Sequence, residues 1–162
     1  MPRPESGLAP DARLRAEIVA VLRGGHAHVD TRTALADLPA ARVNDRPDGF
    51  PHSLWDLVEH LRIAQRDILD FALDADYEAL AWPDDYWPDA DATPAAWEAA
   101  RRAFLADLDA VVALVEDEAT DPLTELDHAP GYTILRQALL VADHNAHHLG
   151  QVVAVRRALG LW

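Results

Sequence analysis

"SLWDLVEHLRIAQRDILDFALD", residues 53–74, carries apolar side chains at Leu54, Leu57, Val58, Leu61, Ala64, Ile68 and Phe71. Steps of three and four residues place all seven on one stripe of an α-helix, whereas a strand would need strict alternation. Ser53 stands before the first apolar position as an N-cap, and Asp56 follows three residues later in a variant of the capping box. The spacing predicts a helix over 53–74 with one face in a core.

The same reading extends outward. Residues 8–23, "LAPDARLRAEIVAVLR", repeat the helical spacing at Leu14, Ile18, Val21 and Leu22 before Gly24-Gly25 stops the run. A shorter helix is expected within 26–39 and a loop rich in Asn, Asp, Pro and Gly through Pro51. Residues 75–92 are acidic, aromatic and broken by prolines, a long connection of the kind that carries function or covers a surface. Thr93 then caps, with Pro94 at the first helical position, and a third long helix runs through the "VVALVED" that ends at Asp117. After a loop through Gly131, Thr133 caps a last helix to about Leu159. No strand-like alternation, repeat or second domain is visible. The expected class is all-α: four long helices forming a bundle, as one domain over 1–162.

Composition limits the chemistry. There is no cysteine, so disulfides, thiolate zinc sites and a cysteine nucleophile are excluded. The N-terminus "MPRPESGLAP" has no apolar signal core and no run approaches membrane-spanning length, so a soluble, cytoplasmic protein is expected. The 28 acidic residues outnumber 14 basic ones, all arginine, for a net charge of −14. Those arginines do not cluster, so neither nucleic acid nor membrane is expected as a partner.

The last helix contains "DHNAHHLG", residues 143–150. His144 and His148 lie four apart, one turn above each other and about 6 Å apart along the axis. Two imidazoles at that spacing can converge on one ion at roughly 2.0–2.1 Å per Zn–N bond. Leu140, Val141, Gln151 and Val152 share the stripe, which turns it inward. His147, at i+3 from His144, is the alternative second ligand, but it points about 100° away from His148. An HxxxH pair alone is a weak signal, as often a solvated pair as a site. His60, on the inward side of the 53–74 helix, supplies the third donor that changes this. Three neutral nitrogen donors suit Zn²⁺, Ni²⁺ or Fe²⁺ and leave a coordination position open.

Other groupings are weaker. His26 and His28 follow a glycine break, and His52 precedes the helix cap. Glu125–His128 matches a di-iron Glu-x-x-His in a loop without a second copy. The acidic stretch 84–91 reads as solvated.

"HSLWDLVEHLRIAQRDILDF" (52–71) with "ILRQALLVADHNAHHLGQVVAVRRALG" (134–160) resembles the DinB/YfiT-like superfamily, over roughly residues 50–160. The resemblance implies a four-helix bundle in down-up-up-down order, with a metal held by His60, His144 and His148. His147 falls where relatives often carry an aromatic, which makes it a lining residue. The family name refers to DNA-damage inducibility, so a stress-response setting is expected. Relatives include transferases and isomerases using mycothiol, bacillithiol or glutathione, and metal-dependent hydrolases. The expected function is therefore activation of water or a low-molecular-weight cofactor thiol by a divalent ion, for hydrolysis or thiol transfer on a small molecule. Asp56 and Asp143 are candidates to orient a ligand imidazole, and Glu59 and Gln151 to line the site. The competing expectation is a non-catalytic metal-binding bundle acting as a homodimer, with Trp82, Tyr86 and Trp87 at the interface or capping the bundle mouth.

Overall fold

The structure is a computed structural model that describes residues 7–162; the sequence's first six residues, part of the stretch read as lacking a signal core, lie outside the described residues. Five helices carry it: α1 (Pro10–Arg23), α2 (Thr31–Ala34), α3 (Leu54–Leu73), α4 (Pro94–Glu116) and α5 (Ile134–Ala158). The starts of α3, α4 and α5 are the expected ones. Ser53, Thr93 and Thr133 each accept a bond from the backbone N–H three residues on, and Pro10 and Pro94 occupy first-turn positions where no N–H is needed.

Helix direction follows from which ends share a core. Leu54, Leu57 and Leu61 at the start of α3 pack with Trp97 and Phe104 at the start of α4, while Leu149, Val152 and Val155 come from the end of α5. A second cluster joins Leu69 and Ala72 of α3, Val111, Val112 and Val115 of α4, Ile134, Ala138 and Val141 of α5, and Ile18 and Leu22 of α1. Helices α3 and α4 are therefore parallel and α5 runs against both. Arg15 of α1 reaches the carbonyls of Val115, Asp117 and Thr120 and Arg23 at its end meets Glu116, whereas Arg32 of α2 meets Asp109. Between α1, packed at the ends of α3 and α4, and α2, whose Ala34 packs at their starts, the chain thus descends alongside α4. The order is down-up-up-down, an all-α bundle whose parallel middle helices need the long 75–92 connection between them.

One element departs from the sequence reading. Glu125–Leu126 (β1) pairs antiparallel with Ala129–Thr133 (β2), a small hairpin where only a loop was expected. Its strands are too short for alternation, the register is irregular, and Gly131 at φ +86° supplies a bend that a residue with Cβ would resist. Among the described residues, no helix is long and apolar enough to cross a membrane.

A buried polar bridge sets the relation of α3 to α5. Gln65 donates to the Phe104 carbonyl of α4 at 2.7 Å and accepts from Asn145 of α5 at 2.8 Å. Such groups are costly to bury unpaired; sliding α3 by a residue would break both bonds, and sliding α5 would break the one to Asn145. Asn145 adjoins His144, so this bridge also fixes where the histidine pair faces α3.

Candidate metal centre

His60, His144 and His148 come together at the α3–α5 seam, each offering one nitrogen within 4.8 Å of the others. The Nε2 atom of His60 lies 3.2 Å from that of His148 and 3.1 Å from that of His144. His60 is buried and the α5 pair half-buried. The α5 face that carries them is a rim. Val141, Leu149 and Val152 are in the core, but Leu140, one turn before His144 and expected inward, is 47% exposed. The histidines stand between core and solvent.

The second nitrogens decide what the cluster can hold. His60 Nδ1 lies 2.8 Å from the Tyr86 carbonyl, which can only accept, so the proton is on Nδ1. His148 Nδ1 likewise donates to the Gln151 amide oxygen at 2.7 Å. A neutral ring protonated at Nδ1 has a bare lone pair at Nε2. Two bare lone pairs thus face each other at 3.2 Å, a contact that repels unless an electrophile lies between them. Nitrogens about 2.0–2.1 Å from one ion at the tetrahedral angle stand about 3.3–3.4 Å apart, close to the spacing found. His144 Nδ1 is buried and has no hydrogen-bond partner among the described residues. The donor set fits a divalent ion with imidazole preference.

Electrostatics keep the rings in ligand form. Burial first, then the neighbouring rings, pushes His144 down to about 4. His148 is also lowered to about 4, by burial, against the opposing pull of Gln151. Burial lowers His60 as well, opposed by its bond to the Tyr86 carbonyl. All three are neutral near pH 7, the state a metal needs.

The other expected residues are placed differently. Gln151 bonds a cluster ring directly. Asp56 does not: its carboxylate accepts from the Ser53 N–H at 2.8 Å and from Arg46, completing the capping box. That corrects its reading as an imidazole-orienting group; a carboxylate committed to its own helix start cannot also turn toward the ring one turn on. Glu59 is tied to Arg62. Asp143 is exposed, on the outer side of α5. His147 is exposed too, its ring centroid 4.8 Å from that of His148, and stands outside the cluster. His28 donates to the Val29 carbonyl and His128 to that of Phe71, both away from the centre.

Two neighbours were not singled out as ring partners from sequence. Trp87 lies flat on His60 (centroids 4.0 Å, planes 4° apart), and His52 covers the other face of Trp87 at 4.3 Å. Of the loop aromatics, Tyr86 and Trp87 therefore sit against the centre. Trp82, 73% exposed, meets only Tyr86 edge-on among the aromatic rings.

No curated protein and no solved structure matches the chain. The sequence model of the DinB superfamily does, over residues 25–152, a span that holds α3, α4, the 75–92 connection and all three histidines. With a down-up-up-down bundle and a histidine cluster at its α3–α5 seam, the chain belongs to the DinB superfamily.

Proposed function

We propose that this protein is a divalent-metal-dependent enzyme acting on a small molecule, with His60, His144 and His148 as the ligands. The observation that carries the reading is the pair of bare Nε2 lone pairs of His60 and His148 at 3.2 Å, with the His144 Nε2 beside them. A zinc, nickel or iron ion bound there would supply Lewis acidity, lowering the pKa of water or of a low-molecular-weight thiol. The chain's own residues hold and shape the site. Gln151 and the Tyr86 carbonyl keep two rings in the tautomer that presents Nε2, and Trp87 shields one face of His60 from water. The chain has no cysteine, so a thiol nucleophile comes from a separate cofactor.

The proposal extends to a cytoplasmic setting, a stress-response role and a homodimer. It assigns a small-molecule substrate and neither nucleic acid nor membrane, since a net charge of −14 repels phosphate backbones and anionic headgroups alike. The test is turnover by metal-reconstituted protein of activated esters, and of electrophiles with glutathione, mycothiol or bacillithiol. Activity that His144→Ala abolishes supports the reading. Metal binding with no turnover in either series would leave a non-catalytic metal-binding bundle.

A further inference from the structure

We infer that Tyr86 is a positioning residue for His60, clamping the loop carbonyl that orients the imidazole to the same helix that carries it. The inference rests on the proposed metal role of His60 for its consequence, but the clamp itself is a property of the protein alone.

Asp67 lies two turns beyond His60 on α3. One of its carboxylate oxygens accepts from the Tyr86 hydroxyl at 2.7 Å, the other from the Tyr77 hydroxyl at 2.6 Å. Burial and this carboxylate raise both phenols, Tyr77 to about 12, so both remain donors. Tyr86 therefore touches α3 twice: its hydroxyl at Asp67, and its carbonyl at His60 Nδ1, 2.8 Å away. A loop carbonyl would ordinarily drift with its loop. Here the ring of the same residue ties that carbonyl to the α3 frame. The adjacent Trp87 ring, flat on His60, restricts tilting of the imidazole out of its plane. Further along, the Ala90 carbonyl accepts from Trp55 Nε1 and Ala92 pairs with Asn44, so the segment is pinned on its far side too.

Two phenols on one carboxylate supply an internal control. Tyr77→Phe removes a bond to Asp67 of the same kind as Tyr86→Phe, but leaves the Tyr86 clamp in place. A merely structural role for these bonds predicts equal effects.

The experiment compares wild type, Tyr86→Phe and Tyr77→Phe by two readouts. Imidazole ¹⁵N shifts of the metal-free proteins report the His60 tautomer. Cobalt absorption spectra with zinc competition report site geometry and affinity. The expected result is an Nδ1–H tautomer in wild type and Tyr77→Phe, and mixed tautomers with about tenfold weaker zinc binding and an altered cobalt spectrum in Tyr86→Phe. An Nε2–H tautomer in wild type, or a Tyr86→Phe protein indistinguishable from Tyr77→Phe in both readouts, would overturn the inference. If wild type takes up no metal, the proposed function fails, and the tautomer comparison still decides the clamp.

Discussion

The Nε2 atoms of His60 and His148 face each other at 3.2 Å across the α3–α5 seam while both rings give their only proton to an oxygen on the far side. A cluster arranged in this way is held by its surroundings against its own repulsion. That makes the identity of each ring testable.

Replacing His60 or His148 by alanine is expected to weaken zinc binding by more than about 100-fold, beyond the 10–100-fold typical of groups that only orient a ligand. His147→Ala should stay close to wild type, because that ring stands exposed outside the cluster. Gln151→Ala should fall between them, at about tenfold. Zinc competition titrations give all four values; a His147→Ala loss as large as that of His148→Ala would mean that the HxxH pair, His144 with His147, holds the ion.

The same rings set a pH dependence for the metal-free protein. His144 and His148 titrate at about 4 in the folded chain against 6.5 ordinarily, so between these values the unfolded chain binds more protons. Stability is therefore full above pH 6.5 and falls as the pH drops toward 4. Urea unfolding with chelator at pH 7.5, 5.5 and 4.5 should show this decline, and His148→Ala should flatten it. Stability that rises on acidification over this window would contradict the burial of neutral rings.

Asp56→Ala separates helix capping from metal chemistry. Loss of the capping-box acceptor for the Ser53 N–H is expected to cost about 1 kcal/mol of stability, with the half-exposed Arg46 pair adding little. Zinc affinity should be unchanged. A large drop in affinity with unaltered stability would restore Asp56 as a partner of a ligand ring.

Asn145→Ala removes the donor that the buried Gln65 carbonyl oxygen uses. Leaving that oxygen unpaired is expected to cost about 1–3 kcal/mol in urea unfolding. Because the bridge fixes α5 against α3 beside His144, zinc binding should weaken as well. An unchanged affinity would mean that apolar packing alone sets the register.

Helices α3, α4 and α5 were legible because each carries its own start signal and a stripe of period 3.6: Ser53, Thr93 and Thr133 lie where the spacing requires them. The histidine trio was legible for the same reason, since two of its members are one turn apart on α5 and the third faces the core of α3. Other features depend on contacts distant in sequence. Nothing near Trp87 says that it will stack on a ring 27 positions earlier, nor that Asp67 will collect two phenols from the loop. Asp56 shows the opposite failure. Its i+4 relation to His60 suggested a bond to the imidazole, but the nearer bond to the Ser53 N–H was already visible as a capping box and took the carboxylate. The hairpin at 125–133 escaped because two strands of two and five residues, one containing Pro130 and Gly131, leave no periodicity to read.

The central claim is that His60, His144 and His148 hold a divalent ion. Elemental analysis of untagged protein, wild type and His144→Ala, tests it most directly. The account predicts close to one zinc, nickel or iron ion per wild-type chain, lost in the variant. Wild-type protein that stays metal-free after reconstitution with each of these ions would contradict it.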